Sequence, residues 1–204
     1  MIREVSAALA EAWGATSWVE VAGAALAVAY LLLVIREHVL CWAAAFVSSC
    51  LYVWVLFGAH LYMESVLNGF FAAMAVYGYL RWRRGADGVP PPVRRWRLSW
   101  HAAGLAGALL LSLLTSQLLR RYTPAAWPFV DSLVTWASAF ATFLVARKVY
   151  ENWHWWLVID SVSLLLYFMR HLYVTMALYA LYLVMIVGGM RAWRASLGAA
   201  PRAA

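Results

Sequence analysis

Apolar residues fall into seven runs, at 18–35, 40–57, 61–80, 98–118, 128–146, 154–169 and 172–190. Polar or breaker segments separate them: Arg36-Glu37-His38, Gly58, the stretch from Gly85 to Pro92, Thr123-Pro124, Arg147-Lys148 and Arg170-His171. Runs of this length suit helices that cross about 30 Å of hydrocarbon, and such breakers mark helix ends. The second-to-third and sixth-to-seventh links are very short, which predicts antiparallel hairpins at both places. The third-to-fourth link is the longest and carries three consecutive prolines and many arginines. Ahead of the first run, Ile2, Val5, Leu9 and Trp13 recur at helical spacing. They predict a helix lying in the membrane interface over 1–17, with a disordered lead-in as the alternative. No compact apolar core precedes a cleavage site there, so the segment does not read as a signal peptide.

Composition sharpens this into an integral membrane class. The 204 residues are 66% hydrophobic and 12% charged, where a soluble domain carries about 25% charged residues. The net charge of +7 does not read as a nucleic-acid footprint, because the arginines sit between apolar runs rather than along a polar face. Twelve Lys and Arg fall on one side of the seven-span topology (Arg36, six in 81–97, Arg147, Lys148, Arg191, Arg194, Arg202) and four on the other (Arg3, Arg120, Arg121, Arg170). The richer side is expected to be cytoplasmic, with the N-terminus outside and the C-terminus inside. Cys41 and Cys50, nine apart on one helix, cannot reach disulfide geometry.

The chain repeats itself weakly. Leu61-Tyr62 is followed after twenty residues by Trp82, and Leu172-Tyr173 after twenty by Trp193. Glu37 precedes Trp42 by five residues and Glu151 precedes Trp156 by five; Ser49 and Ser163 each follow seven after those tryptophans. Spans one to three (18–82) therefore match spans five to seven (128–193). The Pro/Arg-rich linker and connector helix (83–127) lie between them, and a tail occupies 194–204. One extra helix between three-span halves makes the repeats parallel, an arrangement that puts a substrate site near the midplane between them.

An acid inside an apolar run is the main candidate for chemistry. Trp153, Trp156 and Asp160 lie at i, i+3, i+7, on one helical face. A carboxylate in hydrocarbon is costly, about 2.5–3.5 kcal/mol on insertion scales, so Asp160 is expected to face a cavity rather than lipid. Pairing with Arg170 or a neighbouring hydroxyl is the structural alternative. Glu64, Asn68 and Phe71 on span three match Thr175, Tyr179 and Tyr182 on span seven, two polar faces suited to one central site. Glu64 can also reach water, and Asn68 can serve as helix–helix glue. In span two, Trp42, Phe46 and Ser49 stand for Trp156, Asp160 and Ser163 in this alignment, which puts the acidic end of the cavity toward span six. Asp131, Thr135, Ser138 and Thr142 form a further stripe, with helix capping and carbonyl back-bonding as the ordinary roles. The candidate substrate contacts are Trp153, Trp156, Asp160, Asn68, Glu64, Tyr179, Tyr182, Thr175 and Trp42. Aromatic faces and a carboxylate suit a flat, polar, cationic molecule. No buried Arg or Lys is evident mid-span, which disfavours a phosphorylated one.

At these residues the chain resembles the PnuC family of vitamin transporters. The family's W-x-x-W-x-x-x-N/D motif is met by Trp153, Trp156 and Asp160, preceded by Glu151-Asn152. Leu172-Tyr173, Thr175, Tyr179, Tyr182, Gly188 and Trp193 fit its last helix; Leu61-Tyr62, Tyr77-Gly78 and Trp82 fit its third. The resemblance spans about 20–194 and implies a seven-helix, all-α, 3+1+3, SWEET-like fold. It implies facilitated diffusion of an unphosphorylated vitamin, nicotinamide riboside first, with thiamine and riboflavin as alternatives. It implies ligand contact at Trp153, Trp156 and Asp160, a homotrimer, and residence in a bacterial-type inner membrane. No cofactor or metal is expected: the five histidines are scattered without ligand spacing, and no P-loop or catalytic constellation is present. Lys148, the single lysine, lies at a span end, unsuited to a retinal Schiff base. A non-transporting ligand sensor is the remaining alternative to a carrier.

Overall fold

A computed structural model of the chain describes residues 18–58, 62–83, 91–122 and 127–197, with the side chains of 18–20 and 62–64 outside that description. The interfacial helix expected over 1–17 lies outside the described residues. Seven helices follow: α1 Trp18–Ile35, α2 Cys41–Gly58, α3 Tyr62–Arg83, α4 Leu98–Tyr122, α5 Pro128–Ala146, α6 Asn152–Met169 and α7 Tyr173–Ser196. Their starts match the apolar runs to within two residues. Four of them (α2, α4, α5, α7) are long and apolar enough by themselves to cross a membrane, and the chain is an all-helical, multi-pass membrane protein.

The polar breaks end helices by a common device. Glu37, Lys148 and His171 adopt left-handed backbone, with φ of 55°, 50° and 58°, which is uncommon for residues other than glycine. Each puts two amide hydrogens onto the last helical carbonyls. Glu37 N–H donates to Val34 O and His38 N–H to Leu33 O, both at 2.9 Å; Lys148 and Val149 repeat the pattern on Val145 and Leu144. His171 and Leu172 repeat it on Phe168 and Tyr167. This double bond pattern satisfies carbonyls that a helix C-terminus otherwise leaves unpaired.

Packing joins consecutive helices α1–α2–α3 on one side and α5–α6–α7 on the other, with α4 against α5. Two further contacts cross between these groups, α3 on α5 and α7 on α1. The bounds of α2 and α6 differ by 111 residues at both ends. Four tryptophans sit where the groups meet. Trp42 and Trp82 cross edge-to-face at 5.5 Å and 89°, and Trp153 and Trp193 at 5.5 Å and 89°. Trp82 and Trp193 join the pairs at 6.3 Å. Their indoles reach across: Trp82 Nε1 donates to Ala146 O at 3.2 Å, and Trp193 Nε1 to Val34 O at 2.9 Å. Trp42 packs on Gly78 and Trp153 on Gly189.

On the 111-residue offset of α2 and α6 the register differs from the one read from spacing. Trp42 occupies the position of Trp153, one helical turn before Trp156. Phe46 does not stand opposite Asp160; it is an exposed side chain, and Ser49, buried in α2, holds that place. The misreading came from Glu37 and Glu151. Glu37 belongs to the turn after α1, whose counterpart after α5 is Lys148.

Those two turn residues form the tightest ion pair across the groups. Lys148 Nζ lies 2.9 Å from Glu37 Oε2, with side-chain exposures of 4% and 23%, and 4.7 Å from the Trp82 ring centre. Removing one partner strands the other, and the stranded lysine is the more buried. Glu37→Gln is therefore expected to cost about 3 kcal/mol, the low end for a broken buried pair, and Lys148→Met less. Thermal unfolding in detergent, with the double variant recovering part of the loss, checks the ordering.

The linker between α3 and α4 is strapped over the α5–α6 turn. Arg94 N–H donates to Lys148 O at 3.0 Å and Arg94 O accepts from Tyr150 N–H at 2.9 Å. Glu151 Oε2 then accepts from Trp96 N–H at 3.2 Å and lies 3.8 Å from His101 Nε2.

Candidate functional site

Three helical stripes converge on one cavity of about 160 Å³. From α6 come Asn152, Trp153, Trp156 and Asp160; from α7, Tyr179, Tyr182 and Ile186; from α1, Ala27, Tyr30, Leu31 and Val34, with Val145 from α5. Each stripe follows the three- and four-residue spacing that puts side chains on one helical face. Asp160 is eight residues beyond the start of α6, about 12 Å along the helix at 1.5 Å per residue, so it lies near the middle of the span.

Asp160 is 5% exposed, and among the described residues no arginine, lysine or histidine lines the cavity with it. Arg170, the structural alternative, is occupied elsewhere: its Nη2 lies 3.0 Å from both carboxylate oxygens of Asp131. Asp131 thus anchors the first turn of α5 to the end of α6. The rest of its stripe packs locally, with Thr142 Oγ1 donating to Ser138 O at 2.8 Å.

Five aromatic residues wall the cavity. Tyr179 contacts Tyr182 at 5.5 Å and, beyond the cavity, Tyr167 at 5.0 Å. Tyr30 leans edge-on against Trp42 at 6.1 Å. Two lining residues carry buried polar atoms without a hydrogen-bond partner, Asn152 Oδ1 and Trp153 Nε1. The Asn152 amide nitrogen is already used, donating to Val149 O at 2.6 Å. Buried groups left unpaired are unusual in a folded protein and call for an explanation. A polar solute offering a donor and an acceptor at this end satisfies both.

Of the nine residues proposed from sequence, the structure brings Trp153, Trp156, Asp160, Tyr179 and Tyr182 together. Trp42 lies in the tryptophan cluster, and Asn68 and Thr175 are half-buried on α3 and α7; none of the three lines the cavity. The side chain of Glu64 lies outside the described residues. Trp155 meets α4 and α5: its Nε1 donates to His101 Nδ1 at 3.2 Å and its ring crosses Phe140 at 4.9 Å. Tyr30 and Asn152 are the polar lining residues that sequence reasoning missed. Their signals were present. Tyr30 is a hydroxyl inside an aliphatic run, which needs a polar partner when buried, and Asn152 immediately precedes the tryptophan motif.

Comparison with known proteins places the family and the fold. The sequence pattern of the nicotinamide mononucleotide transporter family matches residues 17–195. The riboflavin/roseoflavin transporter RibM of Streptomyces davaonensis is 28% identical over 86% of this chain and 84% of its own length. The nicotinamide riboside transporter PnuC of Escherichia coli is 24% identical over 87% and 85%. The crystal structure of a vitamin B3 transporter PnuC superposes with a TM-score of 0.72 at 17% identity, over 95% of this chain and 88% of that one; it shares the fold.

Proposed function

The chain belongs to the nicotinamide mononucleotide transporter family, and we propose that it carries an unphosphorylated vitamin across the inner (plasma) membrane by facilitated diffusion, nicotinamide riboside being the leading substrate. One observation carries this reading: among the described residues a single carboxylate, with no basic side chain beside it, stands in a cavity walled by five aromatic rings. A buried charge is unfavourable until it is paired. The pyridinium of nicotinamide riboside supplies the missing cation, and aromatic faces add about 0.5–2 kcal/mol each to a desolvated cation. The unpaired Asn152 Oδ1 and Trp153 Nε1 suit ribose hydroxyls and a carboxamide. A phosphate would meet Asp160 with no arginine or lysine among the described lining residues to offset it, and the first amides of α6 already donate to the preceding turn, so the mononucleotide in the family's name is a poor fit here.

Riboflavin is the second reading, favoured by the relative with that substrate and by the aromatic walls, which stack on any flat ring. It is uncharged and makes no demand on Asp160. Thiamine, a cation, fits the same electrostatics as nicotinamide riboside.

The path across the membrane follows from two parallel three-helix units joined by α4. The shared offset of 111 residues between α2 and α6, the paired tryptophans on glycines, and the crossed contacts of α3 with α5 and α7 with α1 support this SWEET-like, 3+1+3 plan. The arginine-rich end faces the cytoplasm, following the positive-inside rule, and the family resemblance extends the proposal to a homotrimer. Purified protein in liposomes is expected to give saturable, ATP-independent uptake of radiolabelled nicotinamide riboside, with no uptake of its 5′-phosphate. Absence of saturable flux for nicotinamide riboside, riboflavin and thiamine alike removes the carrier reading; binding without flux leaves a sensor.

A further inference from the structure

The carboxylates with described side chains are committed. Glu37 holds Lys148, Asp131 holds Arg170, Glu151 is shared by Arg95 and His101, and Asp160 stands in the cavity. Among the basic groups that no described carboxylate reaches, three gather around Tyr77 at the arginine-rich end. Arg147 Nη1 donates to Tyr77 Oη at 3.4 Å, and its guanidinium carbon lies 5.6 Å from the Phe143 ring and 6.0 Å from the Trp96 ring. Its Nε is buried without a partner. Arg94 is held beside it by the main-chain bonds to Lys148 and Tyr150. Arg81 follows Tyr77 by one turn, on the same face of α3. Partial desolvation of the largely exposed Arg94 guanidinium lowers its proton affinity, and the charges of Arg147 and Arg81 push it the same way. Like charges assembled by the scaffold repel until an anion joins them.

The surroundings indicate which anion. Phe143 of α5 forms a floor, stacked on Tyr77 at 6.3 Å and 15° and crossed by Trp96 at 6.1 Å. Helices α3 and α4 both pack on α5, so they flank the cluster. It lies at the last turns of α3 and α5 and just ahead of α4, the level of lipid headgroups. Basic pockets between membrane helices commonly take phosphate-bearing headgroups.

We propose that Arg81, Arg94 and Arg147 form a binding site for the phosphate of an anionic phospholipid, its acyl chains lying along α5 between α3 and α4. Each arginine at such a surface contributes about fivefold in affinity. The test uses the full chain in neutral detergent. Its thermal midpoint is followed on titration with phosphatidylglycerol or cardiolipin, with phosphatidylcholine, and with inorganic phosphate at matched ionic strength. Anionic lipid is expected to raise the midpoint, while phosphatidylcholine and inorganic phosphate leave it unchanged. Arg94→Gln with Arg147→Gln should weaken the apparent lipid affinity about 25-fold, and Arg94→Gln alone, on an exposed side chain, about fivefold. Arg120→Gln with Arg121→Gln, at the opposite end, should change nothing. An equal response in the Arg94 variants, or in the presence of phosphatidylcholine, overturns the site. A response to inorganic phosphate alone overturns the lipid assignment.

Discussion

Replacing Asp160 with alanine is expected to abolish saturable uptake of nicotinamide riboside while leaving the protein folded. The carboxylate is buried with no basic neighbour in the cavity, so nothing in the empty protein depends on its charge. Removing a charge without a partner relieves a desolvation cost rather than breaking a contact. The thermal midpoint of the variant should therefore equal or exceed that of the wild type. For the cationic substrate the reverse holds. Deleting one member of a buried charge pair costs about 2–5 kcal/mol, roughly 30- to 4000-fold in affinity. Asp160→Asn keeps the shape and a hydrogen-bond acceptor, so it should retain riboflavin uptake if that is the substrate, and lose most nicotinamide riboside uptake if that is. Uptake and thermal unfolding on the same preparations separate loss of site from loss of fold.

Gly189→Ala should be the most damaging single-methyl change in α7, and its neighbour supplies the control. A Cβ at Gly189 would fall 2.3 Å from the Trp153 ring, whereas one at Gly188 meets nothing within 4 Å. Trp153 has nowhere to retreat, being fully buried and crossed by Trp193. Overpacking of this kind costs about 1–3 kcal/mol, a fall of roughly 2–4 °C in thermal midpoint per kcal/mol for a chain of this size. Gly188→Ala should be neutral or slightly stabilising, since alanine favours a helix over glycine by about 1 kcal/mol. Displacing Trp153 also moves a wall of the cavity, so Gly189→Ala should weaken substrate binding with Asp160 intact.

The helices were legible because hydrophobic run length and breaker residues are local signals, and their starts shifted by no more than two residues. Span six was legible as a face, because a carboxylate among tryptophans at i, i+3, i+7 has one economical solution, and Trp153, Trp156 and Asp160 do share a cavity. The partner stripe on α7 was half legible: Tyr179 and Tyr182 point inward, while Thr175, one turn earlier, falls outside the cavity. Symmetry misled the rest. Trp42 and Asn68 were drawn in as counterparts of functional residues, but the cavity is built mainly by α6, α7 and α1. Nor could spacing distinguish a one-turn slip between Trp42 and Trp153, since Glu37 and Glu151 matched in letter and not in place. Tyr30 stood out as a hydroxyl in an aliphatic run but could not be assigned to the site, because only the packing of α7 on α1 brings it to the cavity of Asp160.

The central claim is that one unpaired acid within an aromatic box selects a cationic, unphosphorylated solute. Calorimetric binding of nicotinamide riboside and of its uncharged dihydro form, to wild type and to Asp160→Asn, tests it most directly, because the two ligands differ little except in ring charge. The account predicts that the wild type prefers the cation by at least about tenfold, and that the preference collapses in the variant. Equal affinity for the two forms in the wild type, or a preference that survives the loss of Asp160, contradicts it.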